Sequence, residues 1–307
     1  MSIRRYFRIR SLQFLYAHYL SKMNYEKVEK YMLKSIEESY DLYIFLLYLI
    51  LKIREEVINK KPKISNIYEN KIDTLQKIAY NSVVKILSNY LLQENYEKIL
   101  WKKQDEYILF QLIKEIKKSK YYEIFIQKFN SSFEEDKNFI IKYYKNFFIS
   151  NKKLMEYIED KYPISGSENL YLSHRMVCQT LKSIKLSKNF KLYNNVYQND
   201  ENKKFLIDLY RNTISHQEEF NELINDTSKN WDIKRIATID LIILQMAICE
   251  FLYFPNIPPR ATMNEYIEIA KIFCMEKSKM FINGILDKVF KLLNRKNKIF
   301  KIGKGLI

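Results

Sequence analysis

Residues 231–290 read WDIKRIATIDLIILQMAICEFLYFPNIPPRATMNEYIEIAKIFCMEKSKMFINGILDKVF and hold three helical patterns in succession. In the first, Ile233, Ile236, Ile239, Ile243, Met246, Ala247 and Leu252 recur at helical spacing, with Leu241, Ile242, Leu244 and Ile248 on the other sides. A helix apolar nearly all round is buried among others. Asp240, Gln245 and Glu250 interrupt it, so it lacks the run of about 20 apolar residues that a membrane span needs. Pro255, Pro258 and Pro259 stop it, because proline has no amide hydrogen and clashes with the preceding turn. Thr262-Met263-Asn264-Glu265 has capping-box spacing and predicts the start of the second helix. The third carries Phe281, Ile282, Ile285, Leu286, Val289 and Phe290, with Gly284 expected to let a neighbour approach closely.

The blocks RIATIDLIILQMAICEFLYFPNIPP, NEYIEIAK and KMFINGILDKV resemble, in residues and in spacing, the C-terminal bundle of the transcription antitermination factor NusB family. Arg4-Arg5-Tyr6-Phe7-Arg8 followed by Leu12-Gln13-Phe14-Leu15-Tyr16 resembles that family's arginine-rich first helix, and Asn199 to Ile224 resembles its second and third helices. The resemblance implies an all-α, two-bundle NusB-like fold with an inserted helical region. It divides the chain into a first helix (1–22), an insertion (23–198), a helical bundle (199–292) and a basic C-terminal tail (293–307).

Composition agrees with an all-helical chain. Of 307 residues only 4 are Gly and 5 are Pro, too few for the turns of a β fold. The 25 Tyr and 19 Phe exceed what an interior needs, so many rings are expected at the surface. The net charge of +16 favours a polyanionic partner, with lysine-rich coding bias as the competing explanation. Cys178, Cys249 and Cys274 form no CxxC and read as core residues of a reducing compartment. Arg8, Arg10 and Gln13 break any signal-peptide run, so a cytoplasmic location is expected.

Along the chain, residues 4–21 predict a first helix with Arg4, Arg5, Arg8 and Arg10 at its start. A helix N-terminus carries partial positive charge, so arginines there call for an anion; a frayed, solvated end is the alternative. A long helix follows from about Tyr25 to Asn59, then helices near 70–92, 104–118 and 120–129. Shifting the sequence by 66 positions sets Phe139 on Phe205, Tyr144 on Tyr210, Ile158 on Ile224 and Val177 on Ile243. One supersecondary unit used twice, 133–187 and 199–253, would give that match. The loop 163–167 would replace the corner at Trp231.

No nucleotide-binding, dinucleotide or zinc-protease motif is present, and His18, His174 and His216 are scattered. The expectation is therefore a binding protein without enzymatic activity or cofactor. The resemblance implies pairing with NusE, the small-subunit ribosomal protein, and binding of boxA-like single-stranded RNA in support of ribosomal RNA transcription. Other Nus factors and RNA polymerase would be indirect partners. It also implies that Arg4, Arg5 and Arg8 contact phosphates, that Tyr16 lies on the RNA surface, and that Lys279 and Phe281 face bases. Exposed rings beside cations are how single strands are held. Phe281 also fits the apolar face with Ile285, which leaves core packing as its other role. Lys277 stands where short members often have an acid, which favours RNA; Tyr6 stands where an arginine is common. A protein-interaction scaffold without RNA binding is the alternative function. A methyltransferase fragment would need a glycine-rich cofactor loop, and no glycines cluster before residue 284.

Overall fold

The computed structural model describes residues 2–60, 73–93, 101–118, 131–162, 166–186, 190, 192–228 and 235–306. Thirteen α-helices and no strand occur among them. The expected helix at 120–129, the Trp231 corner and Ile233 lie outside the described residues. The chain divides into two compact units, Met1–Lys34 with Tyr197–Ile307, and Ser35–Val196.

The first unit is built around α11 (Thr238–Tyr253). It packs on α1 (Ile3–Ser21), α9 (Asp200–Ser215), α10 (Gln217–Thr227), α12 (Pro259–Phe273) and α13 (Glu276–Arg295). Every residue from Ile242 to Phe251 is buried, as a helix apolar on all sides requires. Each such aliphatic side chain contributes about 1.5–3 kcal/mol on burial. The helix begins at Thr238, so Ile236 precedes it.

The capping-box expectation at Thr262 is corrected. α12 starts three residues earlier, with Pro258 as N-cap and Pro259 in its first turn. Proline fits there because its fixed φ suits a helix and its missing N–H would have lacked a partner. Thr262 is thereby inside the helix and buried.

The stretch after α13 does not trail away as a tail. Lys301 Nζ donates to the carbonyls of Glu250 (3.1 Å) and Phe254 (2.9 Å), satisfying acceptors that the end of α11 leaves open. Ile302 N donates to Pro255 O at 3.1 Å. Gly305 passes so close that a Cβ would lie 1.9 Å from Pro255 O. Residues 25–34, the start of the expected insertion, pack within this unit. Arg211 makes two 2.7 Å hydrogen bonds to Glu29, and Tyr210 Oη donates to Tyr25 O at 3.1 Å.

The second unit takes the remainder of α2 (Tyr25–Asn59), whose bounds match the sequence expectation. It adds α3 (Thr74–Ala79), α4 (Ser82–Gln93), α5 (Asp105–Lys118), α6 (Phe133–Tyr143), α7 (Lys152–Lys161) and α8 (Gly166–Ser183). The run Leu42–Leu51 is fully buried. Ser35 and Ser39 are small enough to let α8 lie close: Asn169 Nδ2 donates to Ser35 O (2.6 Å) and Ser173 Oγ to Ser39 O (2.7 Å). Tyr43 Oη meets Thr180 Oγ1 at 2.7 Å one turn further on. Ser132 and Glu135 form the capping box that starts α6, and α6 runs on into a π-helical turn, Tyr144–Phe148.

Several residues 66 positions apart are buried at both places. Phe139 and Phe205, Tyr144 and Tyr210, Leu154 and Phe220, Ile158 and Ile224, and Val177 and Ile243 are all buried. The helix triplets α6–α7–α8 and α9–α10–α11 follow the same order, and α6 packs on α8 as α9 does on α11.

Candidate nucleic-acid interface

The arginines at the start of α1 do meet anions, but the anions belong to the fold. Ser2 caps the helix, its Oγ accepting from Arg5 N at 3.1 Å. Arg5 donates to both oxygens of Glu265, at 2.6 and 3.0 Å. Arg8, only 3% exposed, donates to both oxygens of the fully buried Glu250, at 2.8 and 2.6 Å. Thr262 Oγ1 (2.8 Å) and Tyr266 Oη (3.2 Å) donate to the same carboxylate. Burial opposes the Arg8 charge, but Glu250 and its hydrogen bonds outweigh that and hold the guanidinium above its ordinary pKa. Burial, then the Glu250 charge, raises the Tyr266 phenol well above its ordinary value, so it stays a donor.

This corrects the expectation for Arg8. Its guanidinium is enclosed, and it lies 5.2 Å from the Phe205 ring centroid and 5.8 Å from that of Tyr266, leaving no access for a phosphate. Arg10 is likewise buried, donating to Gln13 Oε1 at 2.7 Å. Tyr6, at an expected arm position, is completely buried. Arg4 alone of the four arginines keeps much of its side chain in solvent (40%), 3.8 Å from Glu201 and over Phe205. Tyr16 is half-buried on α1.

Lys279 belongs with the arginines. It pairs with Glu276, and its charge, with those of Arg5 and Lys271, acts on Glu268. That carboxyl is held below its usual range, first by its hydrogen bond from Lys271.

Phe281 lies elsewhere. Two residues along a helix turn the direction by about 200°, so Lys279 and Phe281 point to opposite sides of α13. The half-exposed Phe281 lines a groove of about 710 Å³ with Asp226, Thr227 and Ser228 at the end of α10 and with Lys288, Lys291 and Arg295 on α13. Gly284 borders the groove, and a Cβ there would meet nothing within 4 Å. The expected close approach at Gly284 is therefore corrected: the missing side chain leaves open space. The exposed Lys277 is one turn before Phe281, so Lys277, Phe281, Gly284, Lys288, Lys291 and Arg295 form one stripe at helical spacing.

The residues of the expected site thus fall apart: Arg5 and Lys279 both act on Glu268, Arg4 lies by Glu201 and Phe205, and Lys277 with Phe281 lies on the opposite side of α13 from Lys279. Sequence reasoning missed Lys288, Lys291 and Arg295. Their spacing of seven, ten and fourteen residues from Phe281 was the available signal. Among the described residues no group of three His, Cys, Asp or Glu is placed to hold a metal, and no helix is long and apolar enough to cross a membrane.

Helices packed around a buried central helix, with no strand among the described residues, agree with an all-α, NusB-like fold. Residues 173–291 match the model of the NusB family. The match begins in α8, upstream of the boundary expected at 199. The chain is 47% identical over 87 residues to "Transcription antitermination protein NusB" of Geobacter sulfurreducens, covering 28% of this chain and 63% of that protein. Proteins of the same name from Salinibacter ruber (40% over 99 residues; 32% and 62% covered) and Chloroherpeton thalassium (35% over 105; 34% and 50%) are also similar. The chain spans between half and about three-fifths of the length of these relatives.

Proposed function

We infer that the protein is an RNA-binding transcription antitermination factor that pairs with NusE and holds boxA-like single-stranded RNA in support of ribosomal RNA transcription. Similarity to proteins named for antitermination supports the process. The α13 stripe supports the ligand: a half-exposed ring with cations before and after it suits a base stacked beside its phosphates. Lys277 and Phe281 lie on this stripe, while Arg4, with much of its side chain in solvent, and Lys279 and Tyr16 add cations and a ring elsewhere on the same unit; Arg5 is held by Glu265 and acts mainly through the fold. Arg8 acts through the fold by anchoring α1 to α11.

Titration of labelled boxA-like RNA, with and without NusE, tests this. RNA is expected to bind more tightly when NusE is present, since a second protein extends the cationic track. Equal affinity in both titrations removes the coupling. No RNA binding in either leaves a protein-interaction scaffold.

We also infer that the segment between the first helix and residue 199 is an insertion in a shorter ancestral fold, and that 133–187 is a copy of 199–253. The shared helix order and burial phase support it. Other long-form chains should keep the offset near 66 residues; a drifting offset would speak against duplication.

A further inference from the structure

Helix α5 buries Asp105, Ile108, Leu109, Leu112, Ile113 and Ile116 and so has a complete core-facing side. Its outer side still carries two large rings, Tyr107 (66% exposed) and Phe110 (49%). Single exposed apolar residues need no explanation. These two are three positions apart, where helix side chains are neighbours. Lys114, Lys117 and Lys118 continue the same side, all exposed. From Tyr107 to Lys118 the stripe extends about 16 Å at 1.5 Å per residue. Among the described residues, none of these three lysines is in a salt bridge. Cations also reach the rings from neighbouring helices. Lys60 Nζ at the end of α2 lies 5.4 Å from the Phe110 centroid, and Lys153 of α7 is within electrostatic reach of Tyr107. The acids nearby are engaged or off the stripe: Glu56 pairs with Lys60 (2.7 Å), Glu115 accepts from Lys153 (2.8 Å) and Asn151 (2.6 Å), Glu156 lies near Lys153, and Glu106 is exposed.

We propose that this outer side of α5 is a second binding surface for single-stranded RNA, separate from the α13 groove. The two rings supply stacking platforms, which accept any base because every base has a π-face. The lysines supply the phosphate contacts, and their binding releases counterions from the strand. Charge decides the class of partner, since an uninterrupted lysine row beside two rings complements a polyanion with flat bases.

The experiment uses the full chain, both wild type and Phe281→Ala, so that loss of the α13 groove is read separately. The probe is fluorescein-labelled oligouridine, which carries no boxA sequence. Tyr107→Ala with Phe110→Ala should weaken oligouridine binding by about tenfold or more in the Phe281→Ala background, and remove one of two binding phases in the wild type. Lys114→Ala, Lys117→Ala and Lys118→Ala together should flatten the salt dependence of log K by about 2. Both rings are at the surface, so melting temperatures should stay within the range of ordinary surface variants. If the ring variant melts early, Phe110→Trp with Tyr107→Trp replaces it and should retain binding. Unchanged oligouridine affinity in both the ring and lysine variants overturns the proposal. So does retained RNA affinity with lost binding to phosphatidylserine vesicles, which would assign the surface to a membrane.

Discussion

The start of α1 and the outer stripe of α13 look alike in sequence and differ in the folded unit. Both combine cations with aromatic rings: Arg4 and Arg8 lie over Phe205, while Lys277 is one helical turn before Phe281 and Lys288 lines the same groove as that ring. Opposite α1 stand Glu250 and Glu265, carried by α11 and α12, and they take Arg8 and Arg5 into the fold. Opposite the α13 stripe stands Asp226 at the end of α10, but among the described residues no salt bridge joins it to Lys288, Lys291 or Arg295, and Lys291 pairs instead with Asp287 of its own helix. A cation beside a ring becomes a ligand site only when no carboxylate of the fold has already taken it.

The largest effect is expected from Arg8→Ala. Removing one partner strands Glu250 as a buried charge, which typically costs about 3–5 kcal/mol. Urea denaturation should show that loss, and Arg8→Lys should recover little because one ammonium cannot reproduce the paired geometry. A stable Arg8→Ala protein with weakened RNA binding would return Arg8 to the ligand surface and break the comparison.

A buried group in the second unit sharpens it. His174 accepts or donates at Tyr144 Oη (2.7 Å), and burial lowers its pKa to about 4. The folded state therefore binds fewer protons than the unfolded one, whose histidine titrates near 6.5. The stabilisation is complete above about pH 6.5 and is lost as pH falls toward about 4, by up to about 3 kcal/mol. His174→Gln should flatten that part of the stability profile; a profile parallel to wild type would contradict the assignment.

On the open side, Lys288→Ala, Lys291→Ala and Arg295→Ala together should lower the salt slope of RNA binding by about 2, with little change in unfolding. Gly284→Ala is expected to be the smallest change. Replacing a helical glycine where nothing crowds the new Cβ should stabilise by up to about 1 kcal/mol. It should also narrow the groove, so weaker RNA binding by a more stable protein is the expected pairing. A variant destabilised by that substitution would mean Gly284 is a packing residue after all.

Much of this was legible in the sequence where it depends on local pattern. The bounds of α2 and the burial of α11 on all sides follow from helical spacing. Thr262 misled because Pro259, three residues earlier, is itself a good first-turn residue. Arg8 could not be read, because its partner Glu250 lies 242 positions away, and only the packing of α1 on α11 brings them together. The groove was half legible: Phe281 and Lys277 stood out by resemblance. Lys288, Lys291 and Arg295 needed the knowledge that this side of α13 faces solvent.

Phe281→Ala tests the central claim most directly, with RNA affinity and melting temperature measured on the same protein. A stacked ring predicts a loss of about 1–3 kcal/mol in boxA RNA binding with an unchanged melting temperature. Unchanged affinity, or an early melt of the size expected for a truncated core phenylalanine, about 3–5 kcal/mol, would contradict it.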